Sequence, residues 1–595
     1  MMPPTAQDSV VFQGNPRTPG TACGFLSIAD VELSFWGGIN QHTGEVIDRS
    51  HPLRGRIIKD TVLAIPGGRG SCSGSLVMME LMLNNVGPKA IVLERPDSII
   101  TLGVLMTDEF FDKSIPILEL GSPDFQRLLT LDGQTIWIDD GRVSNSPLES
   151  QKNMTCARNH LETVLALSDW DKDAVRGIHG EATRHALRLI IRMAEMMGAS
   201  ELIDVTQCHI DGCFFVGQGT VAFAERLRDL GGMFRVPSTI NSISVDMKRW
   251  RTLGVDVEFG ENAERIANAL VDMGALKTFT CAPYLLQDTA PRFGDRIAWG
   301  ESNAVLFANS VIGARTLKIP DGLDTAIALT GRAPNAGVYR DENRLAEVII
   351  TLPLITDVDD SFWPVIGFAS GAVAKNRIPV LAGLEGLAPS LDDLKAFGAA
   401  FGTSASAPLF HIVGITPEAP TLEAVCPKKQ PSSCTETPLT LDMIRSTWDH
   451  FSHGLQQQKV DLISLGNPHF SVKEIGKFAE LVRNRAKHKD VAVIITCGRS
   501  HWGLAEQAGY VSALETFGVQ FLVDTCWCFV EEPVIPQPVK TILTNSGKYI
   551  HYGPGLTGRE FCFGSMSMCA KVACMGIHSG ERPLWVSKTG RGELP

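Results

Sequence analysis

From residue 180 onward, the chain alternates between stretches of helical periodicity and short apolar stretches, and this alternation restricts the folds it can adopt. Apolar residues recur every three or four positions in the segments Gly180–Met197, Thr220–Leu230, Asn262–Met273, Leu391–Phe401, Thr440–Gly454, Val472–Ala486 and Trp502–Phe517. Apolar runs of strand length lie at Val348–Ile355, Leu409–Gly414, Leu462–Leu465, Val491–Thr496, Phe521–Val523 and Val539–Leu543. Helices that alternate with strands build α/β layers, so we predict an α/β fold with mostly parallel sheets.

The region before residue 141 lacks this alternation. Runs typical of strands, bounded by Gly, Pro, Asn or Asp, lie at Ala22–Ile28, Val31–Trp36, Thr61–Pro66, Ala90–Glu94 and Thr135–Asp139. One helix is predicted over Ser75–Asn84, directly after a glycine-rich turn. We therefore predict a small β-rich domain with one or two helices at residues 1–145, fused to a large α/β region at residues 146–595 whose subdomains meet near residues 325–340.

Size and charge exclude several classes of protein. The 595 residues are more than one hydrophobic core usually organises, which agrees with several domains. A formal net charge of −12, without any Lys- or Arg-rich run, argues against a nucleic acid partner. The longest apolar runs, such as Val491–Thr496, are too short to cross a bilayer, and the N-terminal residues lack the pattern of a signal peptide. We expect a soluble cytoplasmic protein without a membrane partner, either a monomer or a small homo-oligomer.

The chain contains 14 cysteines, too few for a disulfide scaffold of this length, and no C-x-x-C pair. Most of these thiols are expected to be small buried apolar groups. The proline-rich stretch Thr416–Pro438 is predicted to be a surface excursion, and its Cys426 and Cys434 are expected to play no part in the chemistry.

The segment Pro66–Ser75 (PGGRGSCSGS) follows a predicted strand and opens a predicted helix. Such a loop brings the backbone close to a ligand, and the helix start presents free N–H groups to a carboxylate or phosphate. Arg69 can add a bidentate contact to the same anion, and a serine held there can exchange a proton with it. The simpler interpretation is a tight turn whose serines cap the helix. The spacing fits neither of the common glycine-rich nucleotide motifs.

Three cysteines are candidate metal ligands: Cys281 in TFTCAPY and Cys526 in VDTCWC follow strand-like segments, and Cys569 in FGSMSMC lies near the end of the chain. Functional side chains of α/β proteins gather where parallel strands end, and thiolates are soft metal ligands. Three protein ligands would leave a coordination position open for substrate. By spacing alone, the simpler interpretation is that all three are buried core residues; a structural zinc site that pairs Cys526 with Cys528 is another alternative.

Further polar groups follow predicted strands and favour one shared polar cleft. From these groups we predict that His209, Asp211, Ser302, Asn303 and, from the serine loop, Ser73 bind the substrate. Lys548, in the turn TNSGK, contributes a cation. For any single histidine among them, a hydrogen-bonded structural role is favoured over a catalytic one.

Taken in order, these motifs resemble the aconitase X family. The resemblance runs from about residue 21 to residue 573, and its most specific part is the block from Trp299 to Thr316. It rests on PGGRGSCSGS, QCHIDG, TCAPY, WGESNAVLFANSVIGART, NPHFS, DTCW and TNSGK. The resemblance implies a small swivelling domain fused ahead of a large catalytic region, in an aconitase-like fold.

The resemblance also implies an iron–sulfur hydro-lyase. By motif, the metal ligands would be Cys281, Cys526 and Cys569, and Ser71 would be the catalytic base. A 2Fe–2S cluster is favoured over a 4Fe–4S cluster or a mononuclear iron. The fused branch of the family implies dehydration of cis-3-hydroxy-L-proline to a pyrroline-2-carboxylate, which is a step of hydroxyproline degradation. The archaeal branch implies the alternative, dehydration of mevalonate 5-phosphate.

The residues suit the chemistry that the resemblance implies. Dehydrating a 3-hydroxy acid requires a base for the proton beside the carboxylate and a Lewis acid for the leaving hydroxide. A serine needs nearby positive charge to act as a base, for which Arg69 and Lys548 are the candidates. The polar segment Gly141–Asn153 would serve as the hinge for closure around the substrate. A non-catalytic aconitase-like binding protein is the alternative from another functional class.

Overall fold

The computed structural model describes residues 10–148, 165–427, 434–452 and 457–587. The chain divides into two compact units. The first unit takes its described residues from Met1–Asp204, Val216–Val236 and Ile319–Ala336, and the second from Val205–Phe215, Pro237–Lys318 and Gly337–Pro595. The predicted division into residues 1–145 and 146–595 stays a prediction.

The strands are short, mostly of two to five residues. In chain order they are β1 Val11–Gln13, β2 Asn15–Thr18, β3 Thr21–Ile28, β4 Leu33–Ser34, β5 Val62–Ile65, β6 Gly68–Arg69, β7 Ala90–Leu93, β8 Ile117–Glu119, β9 Thr135–Asp139, β10 Arg142–Ser144, β11 Leu202–Asp204, β12 Cys208–Ile210, β13 Ser238–Ile240, β14 Ala298–Trp299, β15 Arg332–Pro334, β16 Val348–Thr351, β17 Pro379–Ala382, β18 His411–Ile412, β19 Thr435–Pro438, β20 Gln458–Lys459, β21 Leu462–Leu465, β22 Ala492–Cys497, β23 Val519–Val523, β24 Thr541–Thr544, β25 Glu560–Phe563 and β26 Ile577–His578.

The helices range from single turns to four turns. In chain order they are α1 Gly74–Leu83, α2 Ser98–Phe111, α3 Ser122–Leu128, α4 Asp169–Val175, α5 Glu181–Met196, α6 Gln218–Asp229, α7 Val257–Asp272, α8 Ser302–Leu306, α9 Leu323–Thr330, α10 Phe362–Ala374, α11 Leu391–Ser404, α12 Leu422–Val425, α13 Leu441–Ser452, α14 Val472–Val482, α15 Arg499–Gln507, α16 Tyr510–Phe517, α17 Gly547–Thr557, α18 Met566–Met575 and α19 Leu584–Ser587. No helix in the described ranges is long and apolar enough to span a membrane.

The first unit contains an eight-stranded sheet in the order β1-β10-β9-β3-β5-β7-β8-β2. Its centre, from β3 through β5 and β7 to β8, is parallel, and the pairs at both edges are antiparallel. Helices α1 and α2 pack together, and α6 and α5 pack on them in turn. The predicted β-rich domain with a helix after the glycine-rich turn is present.

The small region nevertheless holds more helix than predicted, because α2 and α3 accompany α1. Helix α2 was missed since its sequence, SIITLGVLMTDEFF, is apolar on nearly all sides and shows no clear helical stripe. The predicted linker 141–153 also begins differently, because β10 occupies Arg142–Ser144 and pairs with β9. Residues 149–153 of that segment lie outside the described residues.

The second unit contains parallel sheets, as the helix–strand alternation predicted. One has the order β18-β17-β16-β19, another β23-β22-β21-β24-β25, and a smaller one β13-β12-β14; every strand pair in them is parallel. The predicted helix at Trp502–Phe517 is in fact α15 and α16. Gly509 separates the two helices with φ +77°, a conformation that stops a helix.

Candidate functional site

The serine loop connects β5 to α1 in the first unit. Gly70 adopts φ +90°, and a Cβ at this position would lie 3.0 Å from Ser34 Oγ, so both backbone and space favour glycine. The carboxylate of Asp97 accepts a hydrogen bond of 2.6 Å from Gly68 N while its other oxygen caps α2 through Ile99 N and Ile100 N. One aspartate therefore fixes both the loop and the neighbouring helix.

The two central serines of the loop bond to each other. Ser71 Oγ lies 3.0 Å from Ser73 Oγ and accepts a hydrogen bond of 3.3 Å from Ser73 N. Ser73 occupies the N-cap position of α1, but its side chain caps no amide of the helix. The interpretation of these serines as ordinary helix caps is therefore wrong. The first turn of α1 carries no acidic residue, which leaves its amides in a setting suited to an anion.

The residues next to these serines already make hydrogen bonds within the protein or are buried. Arg69 donates to Asp48 at 2.5 Å and to Ser50 at 3.3 Å, and its side chain is 39% exposed. Cys72 is buried, and its carbonyl accepts from Ser75 Oγ at 3.1 Å. Ser75 also donates to the carbonyl of Asp321 at 2.7 Å, which ties the start of α1 to the segment before α9. The predicted role of Arg69 toward a substrate anion stays a prediction.

In the second unit, the carboxyl ends of the parallel strands β21, β23 and β24 bring together polar segments that are far apart in sequence. The segment Gly466–His469 follows β21, Thr525–Cys528 follows β23, and Thr544–Lys548 spans the end of β24 and the start of α17. Adjacent parallel strands end at one edge of a sheet, so the loops after them face one another. Cys281, from the loop after α7, joins this edge.

Cys281 and Cys526 are in side-chain contact, and Cys528 contacts Cys526 in turn. Backbone amides point at the sulfurs: His469 N donates to Cys281 Sγ and Cys528 N donates to Cys526 Sγ, both at 3.3 Å. Contact with Cys281, together with burial, raises the pKa of the Cys526 thiol to about 12. Amide donors of this kind stabilise a thiolate once a cation has displaced its proton.

Cys569 is not among these contacting thiols. It is fully buried on α18 in an apolar cluster that includes Met566 and Cys562. Burial raises the pKa of its thiol well above the ordinary value, and the charged neighbours that add to this effect are Asp360 and Cys562. Within the described ranges, no three His, Cys, Asp or Glu side chains are arranged to hold a metal ion. The structure thus groups Cys281 and Cys526 with Cys528, and the predicted ligand set that includes Cys569 stays a prediction.

Lys548 lies beside the three thiols and forms a buried ion pair. Its Nζ is 2.9 Å from Glu301 Oε1, and the two side chains are 12% and 11% exposed. Burial alone would lower the pKa of Lys548, but the charge of Glu301 and the nearby Cys528 outweigh it and raise that pKa well above its ordinary value. Burial alone would raise the pKa of Glu301, but Lys548 outweighs it and lowers it. Both groups are therefore charged at neutral pH.

The predicted substrate-binding residues of the second unit surround this pair. Asn303 Nδ2 donates to Glu301 at 2.6 Å and to the carbonyl of Cys281 at 3.0 Å, so both amide hydrogens are used within the protein. Ser302 Oγ lies 3.4 Å from Glu301, and Asp211 accepts a hydrogen bond from Asn241. Asn303 therefore positions the carboxylate and the cysteine loop.

His209 is fully buried, and its Nδ1 lies 2.7 Å from Thr239 Oγ1. The Thr239 hydroxyl donates to the carbonyl of Cys208, so it accepts from Nδ1–H of the histidine. The Asn241 side chain and the Thr280 backbone also lie within hydrogen-bonding reach of the ring. Burial lowers the pKa of His209 to about 3, so the ring is neutral at pH 7.

The sequence analysis assigned no role to the residues that support the thiols. His469 contacts Thr280 and the carbonyl of Thr525 through its ring, and Lys395 donates to the carbonyl of His469 at 3.1 Å. Lys395 is buried, and Glu474 pairs with it. The NPH motif after a strand was a signal for His469. No sequence signal pointed to Lys395, because a single lysine on an amphipathic helix usually faces solvent.

Four family models cover most of the chain: the aconitase X swivel domain matches residues 11–144, the first domain 164–342, the second domain 346–449 and the third domain 460–575. The chain belongs to the aconitase X family. The predicted resemblance is thereby confirmed, and so is the swivel domain that carries the serine loop.

Relatives of this aconitase X chain are similar over nearly its whole length. A cis-3-hydroxy-L-proline dehydratase of Hypocrea jecorina is 49% identical and covers 97% of both chains. One of Pseudomonas aeruginosa is 44% identical over 96% of this chain and 98% of its own. The crystal structure of Thermococcus kodakaraensis aconitase X in its holo-form matches with a TM-score of 0.61 and 28% identity, over 69% of this chain and 100% of that one. This aconitase X chain is a dehydratase, that is, a hydro-lyase.

Proposed function

We propose that this dehydratase removes water from cis-3-hydroxy-L-proline to give a pyrroline-2-carboxylate. The observation that carries the proposal is the near-complete coverage, at 49% identity, of a relative named for that reaction, swivel domain included. The reaction breaks the C–H bond beside the carboxylate and the C–O bond of the neighbouring hydroxyl group. It needs a base, a site for the carboxylate charge and an acid for the hydroxyl.

Ser71 is the proposed base. A neutral serine hydroxyl is a poor base, whereas its alkoxide is a strong one. Hydrogen-bond donors and positive charge around Oγ are therefore needed to stabilise the alkoxide. Ser73 N donates to that oxygen, and the Ser73 hydroxyl, 3.0 Å away, can donate to it as well. The N-terminal end of α1, with its positive partial charge, begins only three residues further on. These donors support an Oγ that can take a proton from carbon.

An iron–sulfur cluster is the proposed cofactor, and thiols of the second unit are its proposed ligands. Cys281, Cys526 and Cys528 offer soft sulfur ligands, and Cys526 contacts each of the other two. Near these sulfurs, Thr525 Oγ1 and Tyr549 Oη are buried without a hydrogen-bond partner in the described parts of the chain. Both hydroxyl groups could therefore hydrogen-bond to a bound group. When bound, such a cluster supplies a Lewis acid for the leaving hydroxyl. Cys281 and Cys526 would hold it, with Cys528 or Cys569 as the third sulfur.

Lys548 and Glu301 are proposed to set the charge around the substrate. The ammonium would balance the negative charge of cysteine sulfurs that hold a cluster, and the carboxylate keeps that ammonium in place. His209, whose ring is neutral at pH 7, is also a proposed substrate contact. Asp211, Ser302 and Ser73 remain proposed substrate contacts. We further propose that the protein acts in the cytoplasm on this small hydroxy acid.

The test is a substrate comparison on protein purified without oxygen. Formation of the cyclic imine from cis-3-hydroxy-L-proline is followed, with mevalonate 5-phosphate assayed under the same conditions. We expect turnover of the hydroxyproline alone. Turnover of mevalonate 5-phosphate alone, or of neither compound by protein that contains its full iron, would contradict the proposal.

A further inference from the structure

Two thiols outside the functional site, Cys426 and Cys434, are held on either side of one residue of the second unit. Ala346 N donates to the carbonyl of Val425 at 2.9 Å, directly before Cys426. The carbonyl of the same Ala346 accepts a contact of 3.6 Å from the thiol of Cys434. Both cysteine side chains pack against the small apolar cluster Ala346, Val380, Ala419 and Val425. The fold thus brings together two cysteines that are eight positions apart.

The two side chains also contact each other. Burial, together with this contact, raises the pKa of the Cys434 thiol to about 12. Both residues are partly exposed, as is Cys528, whereas Cys281, Cys526, Cys562 and Cys569 are buried. A small oxidant in solution can therefore reach this pair without entering the core.

We propose that Cys426 and Cys434 form a reversible disulfide, which makes them a modification site separate from the catalytic thiols. Hydrogen peroxide is the proposed oxidant. Because its pKa is raised, Cys434 is not the attacking group; Cys426, as thiolate, attacks a peroxide oxygen and breaks the O–O bond, which gives a sulfenic acid and, with a proton, water. The second sulfur then displaces the sulfenic oxygen as a second water, and the S–S bond forms. The two thiols lose two electrons and two protons, and the peroxide is reduced.

The bond would close a ring from the end of α12 to the start of β19. Strand β19 is an edge strand that pairs in its sheet with β16 alone, and three of its four residues are exposed. An edge strand of this kind loses its pairing easily, and a nearby cross-link reduces the freedom of the unpaired chain. We expect the oxidised protein to exchange the backbone amides of Thr435–Thr437 more slowly, with dehydratase activity unchanged once the iron content is equalised.

The experiment uses the full chain, reduced with dithiothreitol, freed of reductant and treated with an equimolar amount of hydrogen peroxide. After alkylation and digestion, mass spectrometry is expected to find the peptides of Cys426 and Cys434 joined, and dithiothreitol is expected to separate them again. A Cys23→Ser variant, which loses an exposed thiol of the first unit, is the matched control and should give the same linkage. A Cys434→Ser variant should give none.

Comparing disulfide formation in native and in urea-unfolded protein shows whether the fold, or only the short distance along the chain, brings the two thiols together. The linkage is expected to form at least about ten times faster in the native protein than in urea, because the fold holds the two sulfurs together. Equal rates in both conditions would overturn the proposal. Recovery of both thiols unlinked, or linkage of either one to another cysteine, would overturn it as well.

Discussion

Lys548 Nζ lies 2.9 Å from Glu301 Oε1 in a setting where each side chain is about nine-tenths buried, beside the thiols of Cys281, Cys526 and Cys528. The pair joins the W-G-E-S-N block to the T-N-S-G-K turn, which are 247 positions apart. Because each charge is compensated by the other, removing one leaves a buried charge uncompensated. This relationship gives the first prediction.

Replacing Glu301 with Gln is expected to destabilise the second unit. Breaking a buried pair on one side costs about 3–5 kcal/mol, because the lone ammonium stays buried. The thermal midpoint of Glu301→Gln should fall clearly, and that of the double variant with Lys548→Met should fall by less than the two single effects combined. The exposed pair Arg582–Asp449 provides the control, since Asp449→Asn should change the midpoint little. Additive single effects would show that the two charges act independently.

Ser71→Ala is expected to lose activity without losing stability. Removal of a general base typically costs about 10²–10⁴ in rate. Ser73→Ala is the matched control: it keeps the proposed base and removes one donor to it, so its loss should be smaller. Measurements of kcat and of the thermal midpoint on both variants show whether activity is lost without a loss of stability. Near-normal kcat for Ser71→Ala would remove this residue from the proposed mechanism.

The third sulfur ligand can be identified by iron analysis of cysteine variants. Because Cys528 contacts Cys526 while Cys569 lies in an apolar cluster, we expect Cys528→Ala and Cys281→Ala to lose iron and sulfide. Cys569→Ala should retain iron and lose about 1–2 kcal/mol of stability through a small cavity. Iron loss in Cys569→Ala with full retention in Cys528→Ala would instead support the ligand set that the motifs implied.

His411 is expected to make the second unit sensitive to acid. Burial lowers the pKa of its ring from 6.5 to about 4, and its Nε2 lies 2.7 Å from the carbonyl of Arg344. Above pH 6.5 the ring is neutral in the folded and the unfolded chain, so its contribution to stability is fully present. As the pH falls from 6.5 to about 4, only the unfolded chain takes up the proton, and up to about 3 kcal/mol is lost.

Thermal midpoints measured from pH 7.5 down to pH 5 test this linkage. His411→Gln can still donate to the Arg344 carbonyl but does not titrate, so its midpoint should fall less steeply than that of the original chain. His551→Gln, a change at an exposed histidine, should follow the original curve. Identical slopes for all three proteins would mean that another group controls the acid response.

Much of the architecture could be predicted from local sequence patterns. The apolar alternation predicted parallel α/β sheets, and strands such as β21, Leu462–Leu465, were predicted with their observed bounds. The glycine-rich turn before α1 was predicted as well, because Gly70 needs a positive φ that few other residues adopt. Helix α2 was not predicted, since a helix that is buried on most sides has no polar face to reveal its period.

The sequence by itself determined the family, the order of its motifs and the elements that carry them, because turns, periodicity and strand ends are written in neighbouring residues. Tertiary structure alone decided which distant groups meet: it pairs Lys548 with Glu301, sets Lys395 behind His469 and groups Cys528, instead of Cys569, with Cys526. Such contacts depend on how strands far apart in the chain align at a common sheet edge. Spacing along the chain does not encode that alignment, so only the folded molecule reveals it.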